Sequence, residues 1–212
     1  MQTSPLITID PKEFLCEPAY FKIGYSQNPE IKLRIEVVEK LRTVQAKLKE
    51  LKNYRLKIFD GFRPLIVQEK LYNDTKKYLK KENPNLSEEE LKELTHKYAA
   101  FPSQDPLSPP PHNSGGAVDL TIVDENNQEV PMGTGFDDFT QKSHPDYFEK
   151  EGKDEENAEL YRTNRKLFKT EMERVGFVND PSEWWHFNYG NDAWSKITGE
   201  KTIYFSAESG EN

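Results

Sequence analysis

The chain has 212 residues, enough for one substantial domain or at most two small ones. Hydrophobic residues make up 34% and charged residues 31%, and 12 Phe, 10 Tyr and 3 Trp supply bulk for a core, which argues against a disordered chain. A net charge of −8 excludes the basic stripe of a nucleic-acid surface, and a single cysteine excludes an intramolecular disulfide or a thiolate metal cluster.

No basic start followed by an apolar run opens the sequence, and no stretch reaches the length of a membrane span, so a cytoplasmic protein is expected. Residues 31–37, IKLRIEV, alternate apolar and charged, the pattern of a strand edge or a helix start. From Val38 onward Leu41, Val44, Leu48 and Leu51 recur at helical spacing and predict a helix to about Leu51. YRLKIF (54–59) alternates as a strand and ends at DGFRP. Pro64 can open a helix, since the N–H it lacks would be unsatisfied in the first turn anyway, and Val67, Leu71, Tyr78 and Leu79 carry that helix to about Lys81.

In NLSEEELKEL, Ser87 and Glu90 have capping-box spacing. The helix behind them is charged, and His96 on it reads as solvated. FPSQDPLSPPP (101–111) predicts an ordered proline-rich loop, and AVDLTIV (117–123) is the clearest strand. DENNQE reads as a turn and VPMGTGFDDF as a loop with glycine breaks, while the polar residues 143–156, His144 among them, predict a mobile excursion. A helix is expected from Ala158 to Val175, closed by Gly176, and EWWHFNY (183–189) predicts an aromatic strand. With no repeat and no clear linker, the expectation is a single α+β domain over residues 1–212, a central antiparallel sheet flanked by helices.

Three stretches carry chemistry. A catalytic zinc site needs three N or O ligands and one open position. In HNSGGAVDL, His112 and Asp119 can supply two of them, with Gly115 and Gly116 letting the chain bend between them. Metal coordination would also account for a carboxylate placed in an apolar strand. Alone, the stretch reads equally well as a histidine capping a turn and an aspartate on a backbone amide.

In SEWWHFNYG, strand alternation puts Trp184, His186 and Asn188 on one face, and Glu183 can join them if the start of the strand is irregular. A metal ligand beside a non-ligand carboxylate is a hydrolytic arrangement, although alone the stretch reads better as an aromatic core strand. In FDGFRP, Arg63 can hold an oxyanion or a substrate carboxylate, or simply pair with Asp60 across a turn.

Taken together and in this order, DGFRP, HNSGGAVDLT, MGTGFDDF and EWWHF resemble the zinc D-alanyl-D-alanine dipeptidases, within the broader group of D,D- and L,D-peptidases that act on peptidoglycan peptides. The resemblance runs from about Leu51 to Tyr189 and includes MERVGF before the last strand. It implies a sheet carrying a zinc ion on His112, Asp119 and His186, with Glu183 as the base that activates water and later protonates the leaving amine. Arg63 corresponds to the transition-state arginine. Asp137, which directly follows Phe136 as in the family, corresponds to the acid that receives the substrate's free α-ammonium, in preference to its neighbour Asp138.

The implied activity is zinc-dependent hydrolysis of D-alanyl-D-alanine or a similar small free dipeptide. The alternatives are a carboxypeptidase or endopeptidase on longer cell-wall peptides, and a non-catalytic zinc-binding module of the same fold. Two positions depart from the family pattern: Pro110 replaces a serine found in resistance-type members, and Phe62 replaces a common tyrosine. Both remove a hydroxyl and suggest general dipeptide turnover. The sequence leaves the oligomeric state open.

Overall fold

Residues 4–208 are described by a computed structural model. The amino-terminal part contains β1 (Leu6–Thr8), β2 (Leu15–Cys16), the single turn α1 (Ala19–Lys22) and β3 (Lys32–Arg34). β3 runs directly into α2 (Ile35–Lys52), so IKLRIEV is a strand edge and a helix start in succession. β4 (Arg55–Asp60), α3 (Leu65–Glu82) and α4 (Glu88–His96) follow. After the proline-rich arm come β5 (Ala117–Val123), α5 (Ala158–Arg174), β6 (Val178–Asn179), β7 (His186–Asn188) and α6 (Asp192–Thr198). The capping box of α4 forms, with Ser87 N donating to Glu90 Oε2 at 2.9 Å and Glu90 N donating to Ser87 Oγ at 3.3 Å.

The strands β2-β4-β5-β7-β6 form the main sheet in that order, and β1 pairs with β3 in a separate two-stranded ribbon. The main sheet is mixed, which corrects the expectation of an antiparallel one: β2 runs parallel to β4, with Leu15 opposite Lys57 and Cys16 opposite Ile58. A two-residue strand has no periodicity to read, and its partner lies about forty residues away, so nothing local signals it.

The helices α2 and α5 pack together over one face of the sheet. Val37, Val38, Leu41, Val44 and Leu48 of α2 and Phe168 and Met172 of α5 meet Leu56, Ile58, Val118, Leu120 and Ile122. Burying each aliphatic side chain contributes roughly 1.5–3 kcal/mol. That apolar face anchors β5, and the opposite face of the same strand carries Asp119.

Register then builds a row across three strands. Asp119 lies opposite His186 of β7 and opposite Asp60 of β4. Strict alternation would send Asp60 to the helix side with Ile58, but the ladder shifts between Ile58 and Asp60. This bulge brings Asp60 to the face of Asp119, a use of bulges common beside functional sites.

Two further expectations are corrected. Residues 143–156 are anchored by 3₁₀ turns at Gln141–Ser143 and Tyr147–Glu149, and Phe148 is 1% exposed between Tyr161 and Arg165. One aromatic anchor amid polar neighbours gives no periodic signal. In EWWHFNY only His186–Asn188 is strand, because residues 183–185 form a turn in which both Trp184 and Trp185 are buried.

Candidate active site

The turn after the proline run places His112. Pro111 opens a 3₁₀ turn, Pro111–Ser114, that ends at Gly115 with φ of 73°. A Cβ at Gly116 would come within 2.4 Å of the Tyr189 carbonyl, so this second glycine allows close packing where the first allows reversal. Arg34 Nε donates to Ser114 O at 2.8 Å, and Arg63 N donates to His112 O at 3.2 Å, fixing the turn from both sides.

His112, Asp119 and His186 are all buried, and one ligand atom from each lies within 4.8 Å of the others. His112 Nδ1 is 2.7 Å from the Gly61 carbonyl, which leaves Nε2 facing Asp119 Oδ2 at 3.2 Å. His186 Nδ1 is 2.9 Å from Asp119 Oδ1. The donor set fits a divalent metal: two imidazole nitrogens and a carboxylate oxygen suit zinc with one position left open, and each histidine keeps its second nitrogen on a protein acceptor.

Electrostatics support the same reading. The two histidines outweigh burial and hold the Asp119 carboxyl well below the usual carboxylate range. Burial opposes charge on His186, but the Asp119 hydrogen bond and charge push the imidazolium up to about 9. Glu183, on the irregular turn leading into β7, is 4.0 Å from His186 Nδ1, and burial pushes its carboxyl up to about 8.

Arg63 enters from the end of β4. Its guanidinium donates to Asp60 Oδ2 at 2.8–2.9 Å and to Gln68 Oε1 at 2.8 Å, and lies 3.6 Å from Asp119 Oδ2. Burial works against this charge, but Tyr20, Asp60 and Asp119 outweigh it, so the guanidinium stays ionised. The Asp60–Arg63 turn pair and a site arginine are therefore the same structure.

Asp137 closes the far side. It adopts φ of 57°, an uncommon conformation that aspartate tolerates. Burial, then the Asp119 charge, push its carboxyl up to about 7, and Tyr20 donates to its Oδ2 at 3.3 Å. Asp138 instead accepts from Thr140 N at 2.8 Å, so its carboxylate is already engaged in a local turn. His112, Asp119, His186, Glu183, Arg63, Asp137 and Asp138 line one cavity of about 650 Å³, together with His144 and with His96, which is exposed, as the charged pattern of its helix predicts. His96 packs at 5.7–5.8 Å against Tyr72 and Phe101.

Sequence reasoning missed Tyr20, whose ring lies 4.3 Å from the Arg63 guanidinium carbon, and Gln68, which bridges Arg63 to the Ala100 carbonyl. Gln68 had a usable signal, a polar residue on the otherwise apolar face of a helix. Tyr20 had none, since it lies 117 residues from Asp137.

Two histidines and an aspartate meeting at one buried point, with a proton-holding glutamate and a fixed arginine beside them, define a metal-dependent hydrolase. The chain belongs to the family described as D-ala-D-ala dipeptidase, which it matches over residues 17–204, and is thus a metallo-dipeptidase. It is 30% identical over 190 residues to the D-alanyl-D-alanine dipeptidase of Synechocystis sp., covering 83% of this chain and 77% of that one. It is also 30% identical over 173 residues to that of Enterococcus faecium, covering 77% and 75%. Among solved structures, a Zn(II) complex of a vancomycin-resistance D,D-pentapeptidase VanY variant aligns with a TM-score of 0.48 and 15% identity over 82% of each chain. No helix among the described residues is long and apolar enough to cross a membrane.

In the metal-free protein, His186, Glu183 and Asp137 all hold protons more tightly than in the unfolded chain. The stability these groups contribute is therefore fully present below their unfolded values and is lost as pH rises through about 7 for Asp137, about 8 for Glu183 and about 9 for His186. A bound cation displaces the proton on the ligand His186. The rise in Tm on adding zinc is expected to be larger at pH 8 than at pH 6; equal rises in differential scanning fluorimetry would contradict this.

Proposed function

We propose that this protein hydrolyses D-alanyl-D-alanine, or a similar small free dipeptide, in a zinc-dependent reaction. The observation that carries the reading is the meeting of His112, Asp119 and His186 opposite Asp137 in one cavity, with Glu183 beside the metal ligands. The names of the curated relatives point to the same substrate. Zinc, when held by these three residues, supplies a Lewis acid that polarises the scissile carbonyl and makes water a better nucleophile.

The remaining steps belong to the protein. Glu183 takes a proton from the attacking water and returns it to the leaving amine, a role suited to a carboxylate placed beside the metal ligands without being one of them. Arg63, held by Asp60 and Gln68, presents a fixed positive charge to the developing oxyanion. Among the described residues no cation pairs directly with the half-buried Asp137, so a free α-ammonium is its natural partner, and an acylated amine would leave it unsatisfied. We assign residues 1–212 to one peptidase domain and place it in the cytoplasm.

The test compares free D-Ala-D-Ala with its N-acetyl derivative. Wild type should strongly favour the free dipeptide. Asp137→Asn should raise KM for it about 10–100-fold, the equivalent of a hydrogen bond to a charged group, while leaving the acetylated substrate unaffected. A wild-type preference for the acetylated substrate would instead identify an enzyme of longer peptides.

A further inference from the structure

We propose that Asn188 and Asn191 are positioning residues that set the tautomer of His186, so that Nδ1 is the nitrogen free to bind the metal. The backbone N–H of Trp194, in the first turn of α6, donates to Asn191 Oδ1 at 3.0 Å. This fixes which way the Asn191 amide points, and its Nδ2 then donates to Asn188 at 2.7 Å. The Asn188 atom that receives it must be an acceptor, so Oδ1 faces inward. That same oxygen lies 3.2 Å from His186 Nε2. An acceptor there requires Nε2 to carry its hydrogen, which leaves the Nδ1 lone pair for a cation at the point shared with Asp119 and His112.

The chain is thus read from a helix cap to a metal ligand through two amides, every member of it buried. Asn191 is 1% exposed, Asn188 1% and His186 7%, so water does not offer a substitute acceptor. With the amide of Asn188 reversed, an N–H would face Nε2, and the hydrogen would shift to Nδ1, where it blocks the metal. Partners of this kind are worth about 10–100-fold in metal affinity.

The inference rests on the proposed metal site, so the experiment separates the two. Zinc affinity is measured by competition with a chromophoric chelator, and thermal melting of each metal-free variant reports whether the fold is intact. His186→Ala should lose zinc binding; if it binds as wild type does, the metal site itself is wrong. Given that loss, Asn188→Leu should bind zinc about 10–100-fold more weakly. Asn188→Asp, which keeps an acceptor for both neighbours, should stay within a few-fold of wild type. Asn191→Asp keeps the cap on Trp194 N but removes the donor, and should weaken zinc several-fold without loss of the α6 cap. Wild-type affinity in Asn188→Leu would overturn the inference, as would a loss in Asn188→Asp equal to that in Asn188→Leu with both variants folded.

Discussion

Glu183→Gln is expected to lower kcat for D-Ala-D-Ala by about 10²–10⁴-fold while leaving zinc affinity within a few-fold of wild type. Glutamine keeps the volume and a hydrogen-bonding oxygen but cannot accept and return a proton. The carboxyl sits 4.0 Å from His186 Nδ1 and is not one of the three groups that share the metal point, which is why affinity should survive. Its surroundings suit it to proton transfer, because burial raises its proton affinity above that of an ordinary carboxylate, and its ionised form is therefore a stronger base toward water. KM should change little, because the ammonium contact is the one proposed for Asp137. A fall in zinc affinity equal to the fall in kcat would instead make Glu183 a ligand.

Asp119→Ala should be the most damaging single change. The carboxylate is 2% exposed and meets both histidines at 2.9 and 3.2 Å and Arg63 at 3.6 Å. Removing one partner of a buried ionic cluster costs about 3–5 kcal/mol. In the metal-free protein His186 can shed its proton and Arg63 retains Asp60, which puts the expected loss at the low end, about 3 kcal/mol by urea unfolding. Zinc should no longer raise the Tm. Asp119→Asn, which keeps the shape, should recover part of the stability but not the zinc response. A variant that melted as wild type does and still responded to zinc would remove Asp119 from the site.

The long periodic elements were legible in the sequence. α2, α3 and α5 each offer four or more turns of apolar repeat, and their bounds fall close to those expected. β5 was legible from its apolar run, although burial on both faces makes it more hidden than alternation suggested. What escaped was short or tertiary: β1, β2, β6 and α6 span two to seven residues and depend on partners far along the chain.

The same division holds for the site. Asp119 and His186 stand out because such residues are rare in apolar strands, and His112 because it sits between a proline run and two glycines; the structure brings the three to one point. The preference for Asp137 over Asp138 came from its place after Phe136, and the structure adds the turn that engages Asp138 and the Tyr20 hydroxyl on Asp137. Asp60 could be seen as a turn residue, but its place beside Asp119 depends on the β4 bulge, which leaves no mark in the composition of FDGFRP. Asn188 was placed on the His186 face by alternation alone, yet its orientation depends on a helix cap three residues further on.

The central claim is that one metal at His112, Asp119 and His186 makes this chain a D,D-dipeptidase. The most direct measurement is release of D-alanine from D-Ala-D-Ala by the metal-free protein as zinc is titrated in, with bound metal quantified in parallel. Activity should be absent without metal, rise in proportion to bound zinc and reach a plateau at one ion per chain. Protein carrying one zinc per chain that releases no D-alanine, or full activity without metal, would contradict it.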